Sequence, residues 1–142
     1  MNTKFKKLTP DLMVEDVKQS INFYVDKLGF LLDMAVPENE QVIETILSSD
    51  KNYVYAMVHR DEVFIMLMRR DVYSVDVTAL SGLPIGASVS LYIDVDDIDS
   101  IYADLNGKVE IIKDISTTWY GMTEFYIRDN NGYILCFAGE KK

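Results

Sequence analysis

The chain has 142 residues, 49% of them apolar, with 14 Lys and Arg against 23 Asp and Glu for a formal charge of −9. That apolar share excludes a disordered chain and suits one domain, or two small halves around one core. One Cys excludes an internal disulfide framework, one His leaves an ordinary zinc or iron site short of imidazole, and the acidic balance disfavours nucleic-acid phosphates.

In chain order, residues 8–13 read as a strand. Asp16 is placed to cap a helix, and Val17, Ile21, Tyr24 and Leu28 mark one helical face. Gly29 is the natural stop. Strands are expected over residues 30–34, 42–48, 53–59 and 63–69, with Arg60-Asp61-Glu62 turning the last two into a hairpin. Residues 71–87 contain Ser81-Gly82-Leu83-Pro84 and Gly86, and read as a linker. Residues 89–95 alternate as a half-buried strand. Asp97 then caps a helix whose face is Ile98, Ile101, Tyr102 and Leu105. Strands follow over residues 109–112, 123–128 and 133–138, the last two joined by Asp129-Asn130-Asn131-Gly132.

The two halves repeat. Shifted by 81 residues, Leu12-Met13-Val14-Glu15-Asp16-Val17 falls on Ile93-Asp94-Val95-Asp96-Asp97-Ile98, and both halves run strand, helix, then at least three strands. The expectation is one α+β domain: a first βαβββ module over residues 5–70, a linker over 71–87 and a second module over 88–140.

Several runs carry a family resemblance: Ser20-Ile21-Asn22-Phe23-Tyr24, Leu28-Gly29-Phe30, Val95-Asp96-Asp97-Ile98, and the stretch from Trp119-Tyr120-Gly121 through Thr123-Glu124-Phe125 to Arg128-Asp129 and Gly132-Tyr133. In order and spacing, over about residues 7–140, the chain resembles the vicinal-oxygen-chelate superfamily of glyoxalases, bleomycin-resistance proteins and dioxygenases. The ending is most similar to the bleomycin-resistance branch. The resemblance implies two tandem βαβββ modules whose curved mixed sheets enclose a cleft. It also implies a homodimer and a Trp119 that borders the ligand groove. In metal-dependent members four cleft residues, usually His and Glu, hold the ion. The matching positions here are Thr9, Met66, Ser90 and Cys136, and none suits a hard or borderline divalent metal. Neither a metal nor another cofactor is therefore expected, and no catalytic residue is assigned.

With those four positions facing the cleft, residues two away share the face. The candidate ligand-binding set is Asp11, Tyr55, Phe64, Met66, Met68, Tyr92, Asp94, Trp119, Glu124, Tyr126 and Cys136. Tyr53 and Met57 fall on the same side by alternation. Aromatic faces stack on flat rings and hold cations, Met adapts to irregular shapes, and three carboxylates favour positive charge. The expected function is metal-independent binding and sequestration of a flat or partly cationic aromatic small molecule. A bleomycin-like antibiotic is one example, and resistance would be the consequence. The alternative is a glyoxalase- or dioxygenase-like enzyme with noncanonical or partner-supplied metal ligands. Taken singly, Cys136 reads as a small buried apolar residue and His59 as a solvated turn residue rather than as a nucleophile and a base. The polar start and the lack of a run of about 18 apolar residues lead to an expectation of a cytoplasmic protein with no membrane segment.

Overall fold

Two helices begin where an aspartate accepts a backbone N–H. In the computed structural model, which describes residues 2–86 and 88–141, Asp16 Oδ1 accepts from the Gln19 amide and Asp97 Oδ1 from the Ser100 amide, both at 3.1 Å. These caps satisfy amides with no partner inside the helix. The first helix, α1 (Val17–Asn22), widens into a π-helical turn over Phe23–Lys27 and stops at Gly29, whose φ of +73° suits glycine.

Strand β1 (Asp11–Val14) precedes α1, and β2 (Leu31–Pro37), β3 (Tyr53–Arg60) and β4 (Val63–Arg69) follow it. They form a mixed sheet in the order β1-β4-β3-β2, with β1 parallel to β4. The second half repeats the pattern with β5 (Ser90–Asp94), a capped helix, β6 (Glu110–Thr117), β7 (Met122–Arg128) and β8 (Ile134–Glu140) in the order β5-β8-β7-β6. The α+β fold class is as the sequence leads one to expect.

Four local expectations are corrected. Residues 42–48 form no strand; a single bridge joins Glu44 to Ala35. That loop hangs on Tyr53, whose hydroxyl donates to Glu44 Oε1 at 2.7 Å and accepts from the Ser48 amide at 2.8 Å. Tyr53 is thereby turned into the core, beneath the Lys18 ammonium of α1, rather than onto the cleft side. A register shift between Val36 and Pro37, opposite Tyr55 and Tyr53, breaks the alternation that placed it there. The expected linker begins as a second helix, α2 (Arg70–Asp76), followed by a 3-10 turn over Thr78–Leu80. Arg69 fixes its start by holding Asp71 at 2.8 Å and Glu38 at 2.6 Å. Ala87 of that linker lies outside the described residues. β1 starts at Asp11 rather than residue 8, although the Pro10 carbonyl already accepts from the Met66 amide at 2.8 Å.

The third helix, α3 (Ile98–Leu105), covers the second sheet as α1 covers the first. Leu12, Val14, Ile65 and Leu67 on one sheet and Phe125, Ile127, Leu135 and Phe137 on the other join both helices in a single apolar core. Burial of this kind is the main stabilising term, about 25 cal/mol per Å². A polar seam ties the halves together. The Tyr24 hydroxyl donates to Asp129 at 2.7 Å, the Tyr133 hydroxyl to the Met13 carbonyl at 2.8 Å, and Asn131 Nδ2 to Ser20 Oγ at 2.8 Å.

Candidate functional site

Each sheet has one face in the shared core and one face turned away from it. Strand register sets the open faces. On the second sheet, Tyr92, Cys136 and Tyr126 form one row, and Asp94, Ala138 and Glu124 the next. On the first, Asp11, Met66 and Met57 form one row, Met13, Met68 and Tyr55 the next, and Phe64 sits beside His59.

Glu124 organises the second face. It is 7% exposed, and its Oε2 accepts from the Tyr92 hydroxyl at 2.9 Å and the Tyr120 hydroxyl at 3.3 Å. Desolvation, then the bond to Glu124, pushes the Tyr92 phenol up to about 12. Tyr92 therefore stays protonated and a donor at neutral pH. Desolvation also raises the Cys136 thiol, against the Tyr126 hydrogen bond, so Cys136 is a buried thiol and not a thiolate. Trp119 stands 95% exposed in the loop before β7, edge-on to Tyr120 with ring centroids 5.3 Å apart. Lys113 lies 5.6 Å above the Tyr126 ring, so this ring accepts a cation within the protein itself.

The first face is built from thioether and aromatic side chains around one acid. Asp11 Oδ1 is sealed from water and has no hydrogen-bond partner. Desolvation raises the Asp11 pKa, the Tyr73 hydroxyl opposes that, and the nearby Asp76 charge adds to it. Tyr55 is raised by burial and by the Asp11 charge. Phe64 stacks on the His59 ring at 5.1 Å, and Lys7 lies 3.3 Å above the Phe64 ring centroid. His59 is not a solvated turn residue. It belongs to β3, with Nδ1 2.6 Å from Asp33 Oδ1. Asp33 reaches it because β2 carries an extra residue there, between the pairs Leu32–Val58 and Met34–Met57.

The candidate residues thus gather in two groups: Asp11, Tyr55, Phe64, Met66 and Met68 on the first sheet, and Tyr92, Asp94, Glu124, Tyr126 and Cys136 on the second, with Trp119 beside the latter. The contacts named here each stay within one half. Tyr120, Tyr73, Asp33 and His59 join these groups without having been candidates. Tyr120 was legible as Trp119's neighbour, whereas Tyr73 was hidden in the expected linker and Asp33 behind a bulge.

A family model described as glyoxalase/bleomycin resistance protein/dioxygenase superfamily matches residues 7–137. The chain belongs to this superfamily. No curated protein sequence matches it. Among solved structures, a superfamily protein from Nocardioides is 17% identical with a TM-score of 0.72, covering 100% of this chain and 87% of that one. TioX from Micromonospora sp. ML1 is 15% identical, with a TM-score of 0.68 over 96% of this chain and 100% of its own. The bleomycin-binding protein of Streptomyces verticillus, complexed with copper(II)-bleomycin, is 21% identical, with a TM-score of 0.64 over 98% and 99%. At these identities the likeness establishes the shared fold.

The four positions at which the resemblance implies metal ligands do not fit a metal. Thr9 precedes β1, Met66 lies in β4, Ser90 opens β5 exposed, and Cys136 is a buried thiol in β8. Two hydroxyls and a thioether are poor donors for zinc, nickel or iron, and one thiol beside them does not make a site. Among the described residues, no group of three His, Cys, Asp or Glu side chains is placed to hold an ion. No helix is long and apolar enough to cross a membrane.

Proposed function

We propose that this superfamily member binds and sequesters, without transforming it, a flat or partly cationic aromatic molecule. The site is a cleft that two copies of the chain complete, the open face of the first sheet of one copy meeting that of the second sheet of its partner. The observation that carries this reading is the pair of shielded acids, one on each open face. Asp11 Oδ1 is buried without a partner, and Glu124 is buried beneath two phenols. A desolvated carboxylate among aromatic and Met side chains gains most from a cationic ligand. Exposed apolar side chains support a second copy: Phe5 and Leu8 before β1, Leu31 on β2 and Tyr92 on β5 lie at the surface of a single chain. The Streptomyces verticillus protein bound to copper(II)-bleomycin supplies the precedent for the ligand class.

Isothermal titration of the purified protein with bleomycin tests the reading, alongside sedimentation to establish a dimer. Saturable heat is expected, weakened about tenfold or more in Asp11→Asn and in Glu124→Gln, a size appropriate to one charge-assisted contact. Because burial raises the Asp11 pKa, affinity for cationic ligands should fall with decreasing pH sooner than for an ordinary aspartate. A folded dimer giving no heat would sink bleomycin-type ligands. Stoichiometric zinc, nickel or iron in the purified protein would overturn the metal-independent reading.

A further inference from the structure

The two halves meet at two pseudo-equivalent seams, and only one of them is filled. Register makes the equivalence explicit. Asp11 pairs with Met66 in the first sheet as Tyr92 pairs with Cys136 in the second, so Met13 corresponds to Asp94 and Val63 to Tyr133. On α1 and α3, the same 81-residue shift sets Ser20 against Ile101 and Tyr24 against Leu105.

In the filled seam, the turn before β8 packs onto β1 and α1. Tyr133 places its ring there and gives its hydroxyl to the Met13 carbonyl at 2.8 Å, while Asn131 and Asp129 bind Ser20 and Tyr24. In the other seam, the turn before β4 faces β5 and α3, but Val63 stands where the first seam has Tyr133. Apolar Ile101 and Leu105 stand where it has Ser20 and Tyr24. A cavity of about 410 Å³ results, floored by Leu28, Phe30, Val63, Ile101 and Phe137. Its volume is that of a small-molecule pocket.

The cavity also borders an open strand edge. In a parallel ladder, alternate residues direct both backbone groups to the same side. The Val95 amide donates to the Ala138 carbonyl at 2.8 Å, so Tyr92 and Asp94 direct theirs to the unpaired edge of β5. Among the described residues, no side-chain hydroxyl does for Asp94 what Tyr133 does for Met13. The cavity's lining residues include the acids Asp61, Glu62, Asp94 and Asp96 and, as their one cation, Arg60. Arg60 is itself committed, with Nη1 donating to the Leu28 carbonyl at 2.8 Å.

We propose that this second seam is a binding site for a small arylalkylamine, distinct from the open faces of the sheets. The aromatic ring takes the space that the Tyr133 ring takes in the filled seam. The ammonium donates to the edge carbonyl of Asp94 and to the carboxylate of Asp96. A neutral analogue keeps the ring contacts and loses the charge-assisted bonds, and an anionic analogue is repelled.

The test uses the full-length protein, labelled with nitrogen-15 and titrated at low salt with 2-phenylethylamine, 2-phenylethanol and 3-phenylpropionate. The amine should shift the backbone amides of residues 60–63 and 93–96 and bind at least fivefold more tightly than the alcohol, with salt reducing the difference. Val63→Tyr, which restores the missing ring, should weaken amine binding at least tenfold, and Asp96→Asn should weaken it severalfold. Should Val63→Tyr fail to fold, Ile101→Trp blocks the same space from α3. Equal affinity for amine and alcohol, undiminished binding by a folded blocked variant, or shifts confined to open-face residues such as Met66 and Tyr126 would each overturn the proposal. None of these variants alters Asp11 or Glu124, so failure here leaves the open-face reading standing.

Discussion

Cys136 shows how little a residue's identity says before its surroundings are known. It lies in the same row as Tyr92 and Tyr126, at a position where the superfamily resemblance implies a metal ligand. Burial raises its pKa against the Tyr126 hydrogen bond, and its sulfur lies 3.8 Å from the Phe137 carbonyl. Thiol reactivity follows the thiolate fraction and access. Ellman's reagent should therefore leave the native protein unlabelled at pH 8, and labelling should track unfolding in urea; rapid labelling of the folded protein would contradict this. His59 runs the other way. The sequence places it beside a turn, and the fold places it on a face with Asp33 and Phe64. The difference arises because β3 runs on to Arg60, one residue past the histidine.

At the scale of elements, local chemistry was well marked in the sequence. Both Asp caps, the Gly29 stop, the two hairpins and α3 fall where periodicity and capping residues put them. Residues 42–48 misled because alternation describes a strand only if a neighbour offers a ladder, and here Tyr53 anchors a loop instead. α2 was missed because it buries no side chain and so has no apolar stripe to read; what it has is Arg69 bound to Asp71. One glycine tests how tightly the elements are set. A Cβ on Gly139 of β8 would stand 2.8 Å from the Val95 carbonyl and 3.3 Å from Ile98 Cβ, where β5 gives way to α3. Gly139→Ala should destabilise the protein by about 1–3 kcal/mol in urea melts, the usual cost of overpacking. Among exposed turn glycines, Gly107 meets nothing within 4 Å. Its φ of +88° limits the cost of Gly107→Ala to backbone strain, about 1–2 kcal/mol.

For the molecule as a whole, the Tyr24–Asp129 bond is one of the buried links between halves. Desolvation raises Asp129, while Tyr24 and the amides of Asn131 and Tyr133 oppose the rise. Burial and the Asp129 charge push the Tyr24 phenol well above its ordinary 10. A group whose pKa is raised on folding contributes stability that is full below its unfolded pKa and lost as pH rises through the folded value. For Asp129 that loss begins above an ordinary aspartate pKa, and for Tyr24 above pH 10. Tyr24→Phe should cost about 1–3 kcal/mol at neutral pH, the penalty for depriving a buried carboxylate of one donor, and should shrink the alkaline loss. Urea melts from pH 6 to 11 measure both effects, and an unchanged alkaline slope would assign the loss to other tyrosines.

By itself the sequence determined most of the element order, the repeat, the helix caps and the residue types of the open faces. These depend on contacts a few residues apart and on an alternation that the pleat enforces. It also determined that Thr9, Met66, Ser90 and Cys136 lack the imidazole and carboxylate donors that the superfamily's metal sites use, which is a matter of side-chain chemistry alone. Only the tertiary structure decided that the candidate residues divide between two sheets, that Tyr53 turns inward, that Asp33 meets His59, and that one seam closes while its counterpart stays open. Each of these depends on a bulge, a register or a pairing between residues far apart in the chain. Such terms are fixed by packing across the whole core, where no local pattern records them.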